Sequence, residues 1–181
     1  GVDRLIYIVK DLDMITKIEF GDAKLEKTNF DILELINNVF EQLEMKAKKK
    51  NITLSLDELS TCSVYVHADM ERIQQVVTNL LVNSIKYGHN NGTTEVNVES
   101  LNKDKVVVRI TDNGEGIEEE HIPRLFERFY RVDKSGARSE GGSGLGLAIV
   151  KHIIEAHEEK IFIESKYGIG SEFSFTLQKQ E

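Results

Sequence analysis

Asn79 and Asn83 lie four residues apart, with Lys86 and Tyr87 one turn further on, inside a stretch that is otherwise apolar at Ile73, Val76, Val77, Leu80, Leu81 and Ile85. Steps of three and four put these polar residues on one stripe of a helix. Asparagine is a modest helix former, so propensity does not explain its repetition. One reading is an exposed helix face. The other is a site where neutral amide oxygens meet Mg2+ and a lysine supplies a point charge for phosphate. Asp112-Asn113-Gly114-Glu115-Gly116 follows an apolar run ending at Ile110. A carboxylate there would accept from an adenine amino group, where guanine presents a carbonyl. Asp-Asn-Gly is equally good turn chemistry, and Gly114 and Gly116 permit positive φ and close backbone approach. Gly141-Gly142-Ser143-Gly144-Leu145-Gly146-Leu147 opens the last helical pattern, where glycines let unpaired N–H groups and the helix dipole face phosphates. Glycine-rich flexibility without a ligand is the bland alternative. A dinucleotide fingerprint is excluded because residues 130–140 are charged where a buried strand should feed the glycines. A Walker loop is excluded because no Gly-Lys-Ser/Thr follows.

These segments need a scaffold to bring them together. Residues 1–20 place Val2, Leu5, Ile8, Val9, Leu12, Ile15 and Ile18 at helical steps, which predicts a helix whose wide apolar face wants a partner. A linker at 21–28 leads to a second amphipathic helix over 31–50, through Ile32, Leu35, Ile36, Val39, Phe40 and Leu43, with Thr28 or Asn29 as its cap. Strands are expected at 52–56 and 63–66, and Asp69 then opens a helix to about Tyr87. Residues 95–101 and 105–111 read as an antiparallel hairpin turning at 102–104. A helix over 145–156 and strands at 161–165 and 172–177, about a turn at 168–170, complete the chain. This order predicts an α+β fold, a two-layer α/β sandwich with a mixed sheet and helices on one face.

The 181 residues are 40% apolar and 30% charged, enough for one packed domain with an appendage. A net charge of −8 argues against nucleic acid as a partner, since gripping phosphates needs a surplus of Lys and Arg. Against that background, residues 124–139 hold Arg124, Arg128, Arg131, Lys134 and Arg138 with only Glu127 and Asp133, a local net of +3. Either an anionic ligand or plain solvation suits such a segment. Cys62 is the single cysteine, which predicts no intrachain disulfide and a reducing, cytoplasmic setting. No apolar run approaches the roughly 18–20 residues that span a bilayer, so no membrane segment is expected in the chain. A longer parent protein anchored in the inner or plasma membrane is compatible with this.

Asn79-Leu-Leu-Val-Asn83-Ser-Ile-Lys86-Tyr87, Asp112-Asn-Gly-Glu-Gly116, Leu125-Phe-Glu-Arg-Phe-Tyr-Arg131 and Gly142-Ser-Gly-Leu-Gly146-Leu resemble, in order, the four ATP-site boxes of the sensor histidine kinases of two-component systems. The resemblance covers about 30–178. Residues 1–20 resemble the second helix of the family's dimerisation hairpin, which divides the chain into hairpin helix and linker, 1–27, and catalytic ATP-binding domain, 28–181. It implies the Bergerat-type fold, with ATP and Mg2+ as cofactors. Asn83 would hold Mg2+ with Asn79 beside it, and Lys86 and Tyr87 would approach the phosphates. Asp112 would recognise adenine, in a loop shaped by Gly114, Gly116 and Ile117. Phe126 and Phe129 would anchor a lid over about 118–141, with Arg131 toward the γ-phosphate, and Asn79, Lys86 and Arg131 would form the catalytic set. Gly142, Ser143, Gly144, Leu145, Gly146 and Leu147 would enclose the phosphates as the lid closes and excludes water. The family's reaction moves the γ-phosphoryl group to a hairpin histidine and then to an aspartate of a response regulator, its partner, within a homodimer built on the hairpin.

The chain departs from the family pattern twice. His157-Glu158-Glu159 stands where many members have a glycine pair after the histidine, a turn remote from the phosphates where no functional cost is expected. The family's acceptor histidine is followed by an acid and a proline, and the only proline is Pro123, behind His121-Ile122. None of His67, His89, His121, His152 and His157 fits. The expectation is therefore a chain that binds ATP with Mg2+ and does not phosphorylate itself, the first hairpin helix being missing. A gyrase- or MutL-type ATPase would need a glutamate as general base where Asn79 stands, and an amide takes no proton. A docking module that has lost nucleotide binding is disfavoured by four intact boxes.

Overall fold

The structure, a computed structural model, describes residues 24–57, 63–127, 130 and 146–180. The expected helix at 1–20 lies outside them. Strand β1 (Lys27–Asp31) runs directly into helix α1 (Ile32–Lys49). Asp31 caps α1: its carboxylate accepts from the Leu33 N–H at 3.0 Å and from the Val64 N–H at 3.2 Å. This corrects the cap expected at Thr28 or Asn29. Both are strand residues, paired with Ala68 and His67 of β3 (Tyr65–Asp69), and the linker stops short of them. Lys-Thr-Asn-Phe-Asp shows only one apolar side chain, so an edge strand held by its neighbour leaves no periodic trace.

Strand β2 (Thr53–Leu56) lies parallel to β4 (Thr93–Ser100), and β4 turns back as β5 (Lys105–Asp112). Strands β6 (Ile161–Lys166) and β7 (Gly170–Lys179) follow near the end of the chain. The sheet order is β1-β3-β7-β5-β4-β2, with β6 beside β7 on the edge that β3 also uses. Every pairing is antiparallel except β2 with β4, so the sheet is mixed as expected.

Alternation sorts the sheet's two faces. Val66, Ala68, Val96, Val98, Val106, Val108, Ile110, Phe173, Phe175 and Leu177 are buried and share one core with the helices. Arg109, Asn97 and Glu99 carry the other face, where the Arg109 guanidinium donates to Glu99 at 2.6 Å and Asn97 at 3.3 Å.

Helix α2 (Met70–Tyr87) is capped by Asp69, whose carboxylate accepts from the Arg72 N–H, and its buried stripe runs through Ile73, Val76, Val77, Leu80, Leu81 and Ile85. Leu80 and Leu81 are fully buried, and truncating either to alanine would cost about 2–5 kcal/mol. The Lys50 ammonium, just past α1, donates to the carbonyls of Ile85 (3.1 Å) and Lys86 (2.6 Å). A cation at the negative end of α2 holds that terminus in place. Helix α3 (Gly146–Ala156) buries Ala148, Ile149, Val150, Ile153 and Ile154. No helix among the described residues is long and apolar enough to cross a membrane.

The turn after α3 carries more than the sequence suggests. Glu158 N–H donates to the Glu155 carbonyl and Glu159 N–H to the Ile154 carbonyl, with Glu158 at φ +60°. That is a Schellman termination with glutamate where glycine is the unstrained choice. It buries His157 and Glu159. The His157 Nδ1–H donates to the Ile153 carbonyl at 2.8 Å and Nε2 accepts the Asp69 N–H at 3.0 Å. Glu159 takes the Lys105 ammonium at 2.5 Å and the Thr176 hydroxyl at 2.8 Å. Burial holds the imidazole below its ordinary 6.5, against the Ile153 hydrogen bond and the nearby carboxylates of Asp69 and Glu159, with Lys27 adding to the lowering.

Candidate functional site

Three elements meet around the C-terminal half of α2. Asn79, Asn83, Lys86 and Tyr87 are all half-buried on the stripe their spacing predicts. The Asn79 side-chain N–H donates to the Gly146 carbonyl at 3.2 Å, tying α2 to the start of α3. Its amide oxygen is the group then on offer to a cation. Asn83 makes no side-chain hydrogen bond to any described residue. A half-buried amide without a partner among the described residues suits a neutral oxygen ligand for Mg2+. The Lys86 ammonium lies 5.4 Å from the centre of the Tyr87 ring, a cation–π distance. Gly146 and Leu147, half-buried, open α3 beside Asn79.

Asp112 is the last residue of β5, and the loop after it is fastened on three sides. Asn113 accepts the Thr93 N–H at 2.9 Å, the Glu115 N–H reaches the Tyr87 carbonyl at 3.3 Å, and the Ile117 N–H reaches the Ser165 hydroxyl at 2.8 Å. Gly116 takes φ +73°, and a Cβ there would collide with the Lys166 carbonyl oxygen. Gly114 does not use positive φ. Its need is space, since a Cβ would lie 2.5 Å from the Tyr87 carbonyl oxygen and 3.0 Å from an Asp112 carboxylate oxygen. Both glycines let backbone strands pass where any side chain would force them apart.

The Asp112 carboxylate is held at both oxygens. Oδ1 accepts the Gly114 N–H at 2.9 Å and Oδ2 accepts the Ser84 hydroxyl at 3.3 Å. Burial pushes this carboxyl above the usual carboxylate range, while the hydrogen bonds from Gly114, Ser84 and the Ser171 backbone and the charge of His89 pull it back. Strand register places Thr94 and Ser171 directly beside Asp112 on either side, and Ser165 beyond Ser171. Sequence reasoning missed Ser84 and this row of hydroxyls. The available signal was in α2: position 84 continues the core steps of Val77, Leu80 and Leu81, and Ser84 is only 3% exposed where an apolar residue would be expected.

Further along, Leu125 is buried and half-buried Phe126 meets Phe173 edge-on, with centroids 6.5 Å apart. His121 hydrogen-bonds the Tyr130 hydroxyl, and the Arg124 guanidinium lies 4.5 Å from the Tyr130 ring centre. Phe129, Arg131, Gly142, Ser143, Gly144 and Leu145, expected at the site, lie outside the described residues, as does most of the expected lid. The structure thus gathers Asn79, Asn83, Lys86, Tyr87, Asp112, Gly114, Gly116 and Gly146 around α2, with Ile117 against the β6–β7 end and Phe126 against β7.

Known proteins resemble this chain in sequence and fold. Residues 68–181 match the family described as histidine kinase-, DNA gyrase B- and HSP90-like ATPase. Sensor protein kinase WalK of Staphylococcus saprophyticus is 34% identical over 176 residues, which is 97% of the chain and 28% of that protein. The chain therefore spans little more than a quarter of that relative's length. Among solved structures, the catalytic domain of histidine kinase ThkA superposes with a TM-score of 0.71 at 33% identity, covering 85% of this chain and 96% of that one. Histidine kinase AdeS of Acinetobacter baumannii gives a TM-score of 0.82 at 27% identity, covering 99% and 81%. ThkA in complex with the response regulator protein TrrA gives 0.72 at 31% identity, covering 95% and 48%.

Proposed function

Because this chain belongs to the histidine kinase-, DNA gyrase B- and HSP90-like ATPase family, as a catalytic ATP-binding domain of the sensor histidine kinase kind, we propose that it presents ATP to a histidine on a separate hairpin helix. The imidazole nitrogen attacks the γ-phosphorus, the bond from that phosphorus to the β–γ bridging oxygen breaks, ADP leaves, and the imidazole gives up its N–H proton to solvent or a base on the hairpin. The phosphoryl group then passes to an aspartate of a response regulator. In this reading residues 28–181 are the catalytic domain and 1–27 belong to the hairpin and its linker. The parent protein is a homodimer joined through that hairpin, with the catalytic domain on the cytoplasmic side of a membrane-anchored sensor.

In this reading Asp112 accepts from the adenine amino group, Gly114, Gly116 and Ile117 keep the base pocket's shape, and Lys86 and Tyr87 approach the phosphates. Asn83 would hold Mg2+ with Asn79 beside it, and the cation supplies neutralisation of phosphate charge. Phe126, with Phe129, anchors the lid that carries Arg131 toward the γ-phosphate, and Gly142, Ser143, Gly144, Leu145, Gly146 and Leu147 enclose the triphosphate. The observation that carries kinase over ATPase within the family is Asn79, an amide bonded to the Gly146 carbonyl. An amide cannot take a proton from water, so the site lacks a hydrolytic base at that position.

The test is incubation of this chain with γ-labelled ATP, with and without a separately made hairpin that bears an acceptor histidine. Acid-labile label is expected on the hairpin and not on this chain alone. Label on this chain alone would refute the absence of an acceptor. Rapid phosphate release with no transfer would favour the ATPase reading.

A further inference from the structure

Thr94 and Asp112 face each other across the β4–β5 ladder, and Ser84 reaches down from α2 onto both. The Ser84 Oγ lies 2.8 Å from the Thr94 Oγ1 and 3.3 Å from the Asp112 Oδ2. Both residues are buried, at 3% and 1% exposure. We propose that Ser84 and Thr94 are positioning residues for base selection, a one-way hydroxyl chain that fixes the plane of the Asp112 carboxylate against the purine. This rests on the reading that Asp112 contacts the adenine amino group.

The direction of the chain follows from proton inventory. A carboxylate only accepts, so the single Ser84 proton goes to Oδ2, and Ser84 must in turn accept from the Thr94 hydroxyl. Threonine is stiff about its first side-chain torsion, and β4 holds its backbone. The last torsion of an aspartate is broad and would otherwise let the carboxylate swing. Pinned by Ser84 at Oδ2 and by the Gly114 N–H at Oδ1, it presents one fixed set of remaining lone pairs.

Stability does not account for the pair. Two buried hydroxyls bonded to each other are replaceable by apolar groups of the same shape at nearly no net cost. Location adds a second reason. Ser84 follows Asn83 on α2, so one rigid helical turn carries both the amide assigned to the phosphate-bound Mg2+ and the hydroxyl that orients the base reader. A base accepted in the wrong orientation would then be out of register with the phosphates.

The experiment measures affinity of the full 181-residue chain for ATP and for inosine triphosphate, which lacks the 6-amino group, in Ser84→Ala, Thr94→Val, Ser84→Thr and Asp112→Asn. Ser84→Ala and Thr94→Val should each weaken ATP about tenfold and inosine triphosphate less than about twofold, while the lowered melting temperature expected when one buried hydroxyl loses its partner affects both nucleotides alike. Ser84→Thr keeps the hydroxyl and should restore the ATP preference. Thr94→Val carries the same prediction should Ser84→Ala fail to fold. An equal loss of both nucleotides overturns the proposal, since that is what a merely structural role produces. If Asp112→Asn abolishes the preference while Ser84→Ala and Thr94→Val keep it, the proposal falls and the reading of Asp112 survives. If Asp112→Asn keeps the preference, both fall.

Discussion

Protonating His157 should destabilise the fold, and the hydrogen bonds around the ring set the sign and the pH range of the effect. The neutral ring has its proton on Nδ1, donated to the Ile153 carbonyl, and its Nε2 lone pair accepts the Asp69 N–H. A second proton would turn Nε2 into a donor facing a donor. It would remove one buried hydrogen bond and leave two N–H groups, those of Nε2 and Asp69, without an acceptor, a cost of at least about 1–3 kcal/mol. Because the folded value lies below the ordinary 6.5, the unfolded chain binds more protons as pH falls from about 6.5. The contribution is therefore full above that value and is lost progressively below it, with a limiting slope of about 1.4 kcal/mol per pH unit. The assay is urea unfolding at several pH values between 8 and 5, for wild type and His157→Gln. The variant should lose about 1–2 kcal/mol at pH 8, and the gap should close as pH falls, since other groups titrate equally in both. Parallel stability curves, or a gap that widens with acid, would refute the tautomer and hydrogen-bond assignment.

Other substitutions test the elements around the site. Glu158→Gly should raise stability by about 1 kcal/mol, seen as a higher melting temperature, because it relieves a left-handed non-glycine residue. Gly116→Ala combines a disfavoured φ with a collision at the Lys166 carbonyl. It should cost about 2–5 kcal/mol in urea unfolding and reduce nucleotide binding together with it. Lys105→Met leaves Glu159, with a 5% exposed side chain, without its cation, and a loss of about 3 kcal/mol in the same assay is expected.

Periodicity made most of the scaffold legible. The stripes of α1, α2 and α3, the β4–β5 hairpin and the β6–β7 pair all carry local signals, and the structure moves their ends by no more than two residues. Strand β1 was not legible, because Phe30 is its one buried residue and its stability is borrowed from β3. The same fact misplaced the cap of α1. At the site, Asn79, Asn83 and Asp112 stood out because each breaks an expected pattern. The hydroxyl row of Thr94, Ser171 and Ser165 beside Asp112 did not, since it exists only through the register between two hairpins distant in sequence. His157-Glu158-Glu159 looked inconsequential as a string. Only folding brings Asp69, Lys105 and Thr176 to it, which makes it a stability element well away from α2's asparagines.

Everything proposed for the site depends on nucleotide binding by the Asp112 loop and the asparagine face of α2. Calorimetric titration of this chain with ATP, with and without Mg2+, measures it. One saturable site is expected, tightened by Mg2+ and severely weakened by Asp112→Asn. No saturable binding, or binding indifferent to Asp112→Asn, would contradict it.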